Sequence, residues 1–526
     1  METPIKNLHN QFTRNIQHLA ALVLLLLALA SCKKSSVTQN PTTTTTETTG
    51  TVTGGTSTIL STITASGTAE GSLEVGANAD DLIANSTFSS IVSVNFGTTT
   101  TITNPLASTG VTITQSGGDV TITSTATGVD FQLSGTTTNG SVKIYSEKKF
   151  KTTLNNVSIT NNDGPALNIQ SSKRNFIELT AGSTNNLTDG TTYAASAEDQ
   201  KGTIFSEGQI IFTGTGALNV KGNFKHAIAS DDYIRVVSGT ITITGAVTDG
   251  FHSNDAFIAD GGTIKVTATS DGIEAEEGHV IINDGNLNFT TGDDGIAASY
   301  EGADATIIPY VNINGGTIVI KSTTGEGIES KGVLTINKGN VSTTTYDDGI
   351  NAGKAIYING GSIYCYATNN DAIDSNGTLT VTGGIIVAIG ANQPEASFDC
   401  DARAFKITGG TLVGIAGATS GPSATSSVRS VVMGSGAPNS IIHLEAADGT
   451  EALTFLVPKS YTTLVFASAK LKAGTTYNVY TGGSVTNGTT FNGLYSDGVY
   501  NKGTKATTTF STTNVVTQTG GSISRG

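Results

Sequence analysis

The chain has no tryptophan, only three cysteines and nine prolines among 526 residues, and aromatic residues make up 6%. Two thiols beyond Cys32, namely Cys365 and Cys400, do not make a disulfide framework for so long a chain. Charged residues amount to 13% and hydrophobic residues to 37%, which excludes a disordered polyelectrolyte. Basic residues are outnumbered, 28 against 42 acidic, for a net charge of −14. No basic stripe is present to neutralise phosphates, so nucleic acid is excluded as a partner. That balance favours cations and neutral or metal-bridged ligands. Strong helix formers are scarce. What is abundant is glycine, 64 residues without collagen's every-third spacing, together with Thr, Ser, Asn, Val and Ile. These are strand and turn formers, and they predict an all-β protein of many short strands.

Long hydrophobic runs are also lacking, with one exception near the start. AALVLLLLALASC, residues 20–32, follows a mildly basic stretch and is too short for a comfortable bilayer span of roughly 20 residues. It reads as a secretory signal, residues 1–31. Its end, Leu29-Ala30-Ser31-Cys32, resembles the bacterial lipobox, which implies acylation of Cys32. Residues 32–58 are Thr-rich and low in complexity, and are expected to be a tether. The expected location is the bacterial cell envelope, on the outer membrane or the cell surface, with the membrane contacted through the lipid alone.

A repeat near 22 residues organises the middle of the chain. Segments such as DGFHSNDAFIADGGTIKVTA and DGINAGKAIYINGGSIYCYA align on a small residue at Gly250, Gly272, Gly295, Gly327, Gly349 and Ala372. The steps are 22, 23, 32, 22 and 23, the long one containing the insertion YEGADATIIP, Tyr300 to Pro309. Each unit holds three short strand-like pieces and leaves no room for a crossover helix. A coil winding once per repeat fits: a parallel β-helix whose rungs stack about 4.8 Å apart. One position after the small residue stand Ile228, Phe251, Ile273, Ile296, Ile328, Ile350 and Ile373, an apolar ladder expected inside. Two further on come Ser230, Ser253, Ala275, Ala298, Ser330, Ala352 and Ser375, on the same face. The position between them varies, as an outward face should. Residues 59–420 are assigned to this β-helix, with less regular rungs before 200. From 421 to 526 the pattern changes to hairpin-like alternation, read as a small antiparallel β module that caps the open end.

The residue before the small position is Asp249, Asp271, Asp294, Glu326, Asp348 or Asp371. Turn chemistry accounts for most Asp-Gly pairs, since Asp caps its own backbone and Gly tolerates positive φ. Stacked carboxylates about 5 Å apart nevertheless repel by about 0.8 kcal/mol in bulk water and about 3 kcal/mol at an effective dielectric of 20. Cations between them relieve that repulsion, and hard oxygen donors suit Ca²⁺. The column argument gives Asp271, Glu274, Asp293, Asp294, Glu326, Glu329, Asp347, Asp348, Asp371 and Asp374 as ligands. His226 and His252 occupy neighbouring rungs in different columns and are expected to be exposed column members rather than a transition-metal pair. Cys365, between Tyr364 and Tyr366, is expected to be a buried free thiol, although a Cys365–Cys400 bridge is an alternative.

The phrases DGIEAE, DGINA, INGGSI and LNNVSITNNDGPAL resemble a family of secreted bacterial carbohydrate-binding proteins over roughly residues 100–420. The resemblance implies a right-handed parallel β-helix like that of polysaccharide lyases, bound Ca²⁺, and binding of cellulose or polygalacturonate. It supplies no ligand motif, so the metal residues rest on the columns alone. The expected function is a non-catalytic, monomeric polysaccharide-binding lipoprotein. Tyr357, Tyr364 and Tyr366 turn outward if Ile356, Ile358, Ile363 and Cys365 point in. With Tyr300 and Tyr310 they are the candidates for stacking on sugar rings. One alternative is a Ca²⁺-dependent polysaccharide lyase, which needs a base of lowered pKa, for which Lys331 and Lys354 are the candidates. The other is a structural or adhesive surface protein.

Overall fold

The computed structural model describes residues 51–524, apart from Thr53, Ile63 and Glu301. The expected signal segment, Cys32 and the first part of the expected tether lie outside the described residues. Among the described residues the only helical elements are two three-residue turns, Ala79–Asp81 and Ile83–Asn85.

The chain winds as a parallel β-helix with three strands per rung. One rung consists of Ile273–Ala275, His279–Ile282 and Asn286–Thr291. The first sheet has thirteen strands, running from Val111–Ser116 to Asp399–Cys400. Its members are parallel from Asp119–Ser124 onward, each bonded to the strand one rung away. The predicted ladder is in register across it: Ile228, Phe251, Ile273, Ile296, Ile328, Ile350 and Ile373 are successive partners and fully buried. The second sheet contributes Phe257, Val280, Val311, Leu334 and Ile356, and the third Ile264, Leu287, Ile318, Val341 and Ile363. All join one apolar core that runs the length of the helix. This burial is the main stabilising term, at roughly 25 cal/mol per Å² of apolar surface.

The small-residue column has a different cause from the one expected. Gly272, Gly295, Gly327 and Gly349 do not have positive φ. They are small because a Cβ at Gly327 would lie 2.4 Å from the carbonyl oxygen of Gly349, and one at Gly349 would lie 2.4 Å from that of Ala372. The left-handed glycines form another column, before the third strand of each rung: Gly262 (φ +81°), Gly285 (+121°), Gly339 (+99°) and Gly361 (+89°) among them. Substitution Gly339→Ala is expected to cost about 1–2 kcal/mol, the penalty for a side chain in that region, read as a lowered urea midpoint.

Residues 421–524 supply the antiparallel module. Thr463–Ala467 pairs antiparallel with Phe405–Ala416 and closes the open edge of the last rungs. A sheet of Ile441–Ala446, Glu451–Leu456 and Thr476–Thr481 stacks beyond it. Its core also buries Val387 and Val413, and Tyr364 and Tyr366 pack half-buried against it, so the module covers the outer face of the third sheet at its C-terminal end.

The expected tether and first rungs differ from the sequence reading at residues 56–85. Thr56–Thr58 is a strand paired with Val499–Asn501, so the tether's last residues are part of the fold. Residues 64–85 form no rung. They run as an extended strap across the second sheet, from Thr382 and Gly410 at one end to Arg174 at the other. A ladder of asparagines receives it: the side-chain amides of Asn359, Asn337, Asn314 and Asn283 donate to the carbonyls of Glu70, Ser72, Glu74 and Val75 at 2.7–2.9 Å. Each asparagine also donates to, or accepts from, the next along the ladder at 2.8–2.9 Å. At the far end Asp81, 1% exposed, accepts from Arg174 Nε at 2.7 Å and Tyr233 OH at 2.6 Å, with Arg235 Nη1 at 3.3 Å.

Candidate ligand-binding face and its acidic track

Strand alternation sends one residue per rung outward from the first sheet. That column passes through Thr121, Lys143, Asn168, Phe205, Ala229, His252, Glu274, Ala297, Glu329, Asn351, Asp374 and Asp399, with Phe205, Ala229 and Ala297 buried. Along the edge of the same sheet stand Asp249, Asp271, Asp294, Glu326, Asp348 and Asp371. These acids are built into the coil. Asp249 Oδ1 accepts the backbone N–H of Asp271 at 3.2 Å, and Asp271 Oδ1 that of Asp294 at 2.7 Å. Asp294 Oδ1 accepts from Glu326 at 2.7 Å, Asp348 Oδ1 from Asp371 at 2.9 Å, and Asp371 Oδ1 from Ala396. Each carboxylate therefore ties its rung to the next. This is a capping role, in keeping with turn chemistry.

One oxygen each of Asp249, Asp271, Asp294, Asp348 and Asp371 is committed in this way, and three groups still bring one carboxylate oxygen each within 4.8 Å of the others. They are Asp249/Asp271/Glu274, Asp271/Asp293/Asp294 and Asp371/Asp374/Asp399. Six of the ten ligands read from the columns fall in these groups. Asp399 was missed in the sequence, because the segment 390–398 breaks the repeat before it. Glu326, Glu329, Asp347 and Asp348 do not join such a group among the described residues. Glu329 is ion-paired with Lys331, Asp347 Oδ1 accepts from Asn370 at 2.6 Å, and Asp348 Oδ2 accepts from Asn351 at 3.0 Å.

Burial makes Asp271, Asp294, Asp348, Asp371 and Asp374 reluctant to ionise, whereas for Asp249 burial is outweighed by hydrogen bonds from His226 and His252, which hold its carboxyl well below the usual range. Burial, then the charge of Asp249, pushes Asp271 up to about 8. Burial leads again for Asp348, at about 8, and for Asp371 and Asp374, each at about 7, with neighbouring carboxylates adding to it. Asp294 is also pushed up by burial and by Glu326. An all-oxygen, partly buried and mutually repelling donor set is what a hard divalent cation neutralises, so these residues fit Ca²⁺.

The expectation of exposed histidines is corrected. His226 and His252 are both buried, with rings stacked at 4.0 Å and Asp249 Oδ2 2.8 Å from one Nδ1 and 3.1 Å from the other. Column position gives direction, whereas cover comes from neighbours. Cys365 and Cys400 are both buried and free, which settles the thiol question against a bridge.

The five tyrosines are dispersed. Tyr357 points out of the second sheet but lies under the strap, where a Cβ on Gly71 would sit 2.6 Å from its ring. Tyr364 and Tyr366 pack against the C-terminal module, with Lys459 Nζ 5.9 Å from the Tyr366 ring centre. Tyr310 stacks on His279 at 4.6 Å in the second sheet. Tyr300 begins the insertion beside the first sheet and bridges to Glu277. Tyr346, unnoticed in the sequence, is 48% exposed and directly precedes Asp347 at the edge of the acidic track. Its signal was its place next to the acidic pair. Lys331 is paired with Glu329; burial acts downward on it most strongly of any one cause, yet Glu329, Glu326 and Asp294 together outweigh burial and raise its pKa, opposite to what a lyase base needs. Lys354 is exposed.

At its N-terminal end the same face opens into a cleft of 310 Å³ lined by Asp119, Ser141, Lys143, Asp163, Asn168 and Gln200, among others. The Asn168 Nδ2 there is buried and makes no hydrogen bond among the described residues.

A family model described as carbohydrate-binding domain-containing protein matches residues 116–393 and 310–514. A carbohydrate-binding domain-containing protein of Acetivibrio thermocellus is 31% identical over 110 residues, 20% of this chain; the match spans 38% of that relative's length. A solved structure, the polysaccharide lyase-like protein from C. thermocellum as a gadolinium derivative, is 26% identical with a TM-score of 0.39. It covers 51% of this chain and 96% of its own. With the family model spanning most of the β-helix and much of the cap, the chain belongs to the carbohydrate-binding domain family.

Proposed function

We propose that the chain binds a plant-type polysaccharide of the cellulose or pectate class along the first sheet, and that the acidic track favours the pectate type. The observation that carries this reading is the state of the three faces. The second lies under the strap, and the third is covered at its C-terminal end by the cap. The first combines an outward column that is polar from His252 to Asp399, save for Ala297, with three carboxylate groups, flanked by Tyr346 on one edge and the insertion on the other. Ca²⁺ at Asp271/Asp293/Asp294 and at Asp371/Asp374/Asp399 would supply the positive charge that a uronate polymer needs to approach a chain of net charge −14. No base of lowered pKa stands at Lys331, so the reading is a binder. Acylation of Cys32 would hold the protein on the cell envelope.

A pull-down on polygalacturonate with and without chelator tests it. Retention lost on chelation, with no unsaturated product in solution, is the expected result; retention that ignores chelator, or product formation, contradicts it. Tyr346→Ala is expected to weaken binding about fivefold, the worth of ~1 kcal/mol of stacking, in isothermal titration with oligogalacturonate.

Acidity should act on the metal first. Carboxyls raised to about 7 or 8 take up protons as pH falls from 8 to 6, and ligands must be ionised. Calcium affinity is expected to fall about tenfold per pH unit for each ligand protonated. The metal-free protein has the opposite dependence. Its raised carboxyls favour the folded state fully below their unfolded values near 4, and that contribution fades as pH rises through 7–8. Calcium should therefore raise Tm more at pH 8 than at pH 6. An equal shift at both would contradict the assignment.

A further inference from the structure

Each of the two acidic columns is headed by a histidine. His226 precedes Asp249 in the edge column, since its strand pairs Ile228 with Phe251. His252 precedes Glu274 in the outward column. We propose that His226, Asp249, His252 and Glu274 form a site for one borderline divalent ion of the zinc class, so that Asp249 and Glu274 serve this ion rather than a calcium shared with Asp271, and the all-oxygen groups left to calcium are Asp271/Asp293/Asp294 and Asp371/Asp374/Asp399.

The geometry carries this. Asp249 Oδ2 lies 2.8 Å from His226 Nδ1 and 3.1 Å from His252 Nδ1, and Glu274 Oε2 lies 3.2 Å from His252 Nδ1. Zinc–nitrogen and zinc–oxygen bonds of about 2.0–2.1 Å place tetrahedral ligands about 3.3 Å apart; these three contacts stand near that spacing, and His226, Asp249 and His252 each bring one donor within 4.8 Å of the others, with Glu274 reaching the site through His252. His226, Asp249 and His252 are each more than nine-tenths buried. The site is also supported from outside, because Glu276 Oε2 is 3.2 Å from His252 Nε2 and can orient that ring. Thr248 Oγ1, 2.9 Å from His226 Nδ1, adds one more oxygen. Two imidazoles and carboxylate oxygens suit zinc, copper or nickel, whereas Ca²⁺ takes oxygen donors.

Ala229 explains how the pair fits. It is the in-register neighbour of His252 on the preceding strand, and its methyl group leaves the space that a longer side chain would fill. The stacked imidazoles, 20° from parallel, both turn Nδ1 toward Asp249. The track thus changes from oxygen to nitrogen donors across two neighbouring rungs.

Equilibrium dialysis of the full chain against Zn²⁺ in a large excess of Ca²⁺ tests the proposal. One zinc per chain is expected. His226→Ala and His252→Ala should each weaken retention by at least about a hundredfold, while Asp371→Asn/Asp374→Asn leaves it intact. Should either histidine variant fail to fold, Cu²⁺ bound to the unaltered protein decides, because its electron paramagnetic resonance spectrum must show coupling to two imidazole nitrogens. Absent zinc retention, unchanged retention in both folded variants, or a copper spectrum without nitrogen coupling overturns the site. None of those outcomes touches the calcium groups at Asp293/Asp294 and Asp371/Asp374/Asp399, so failure here is distinguishable from failure of the glycan reading.

Discussion

Asp81→Ala is expected to destabilise the chain by about 3–5 kcal/mol, the range for removing one partner of a buried charge cluster. Asp81 is the carboxylate that pairs with Arg174, and it shares Arg235 with Asp260. Its loss takes that ion pair from the Arg174 guanidinium, with 15% of its side chain exposed, and frees the strap at its anchored end. The urea midpoint should drop, and amide exchange should quicken first in residues 65–85. A loss below about 1 kcal/mol would mean that the strap is held by the asparagine ladder alone. The ladder differs in kind: its bonds are neutral and partly exposed, each contributing about 0.5–1.5 kcal/mol.

Asp271→Asn and Asp371→Asn have the largest expected effect on binding. Asparagine keeps the Oδ1 that accepts the next rung's N–H, so the coil should remain intact. What is lost is the charge. Combined, the two changes should lower calcium-dependent binding to polygalacturonate by at least about a hundredfold. The metal-free fold should be no less stable, because a buried and repelled carboxylate has been removed. Asp271→Ala separates the roles, since it leaves a buried N–H without an acceptor and should cost about 1–3 kcal/mol in addition. Circular dichroism and titration calorimetry on the same samples read both effects. If the asparagine variants unfold, the carboxylates are structural before they are ligands.

The interior was legible because the coil repeats its environment. Ile273, Ile296, Ile328 and Ile350 occupy the same wall on successive rungs, and period two between Ile and Ala or Ser fixes their direction. The acidic columns were legible for the same reason. Three things were not. The strap has no period of its own, and its partners, such as Asn359 for Glu70, lie 289 residues away in sequence. Asn283, Asn314, Asn337 and Asn359 recur at rung spacing, yet a turn asparagine and a strap-binding one look alike in sequence. The tyrosine reading obtained direction correctly, with Ile356, Ile358, Ile363 and Cys365 all inside. It could not see that Tyr357 is roofed by the strap and Tyr364 and Tyr366 by the cap, since cover on a β-helix comes from segments outside the repeat. The glycine columns show the same limit: Gly327 and Gly339 read alike, but one avoids a carbonyl on the next rung and the other adopts φ of +99°.

The claim on which the functional account depends is that the polymer lies on the first sheet. Titration calorimetry of the full chain with oligogalacturonate in Ca²⁺ tests it most directly, comparing Asp371→Asn/Asp374→Asn on that sheet with Lys265→Ala/Lys321→Ala on the exposed third sheet. The account predicts binding that requires Ca²⁺, falls by about a hundredfold or more in the first pair and is unchanged in the second. Binding that survives both chelator and the aspartate changes, or that vanishes with the lysines, would place the ligand on another face.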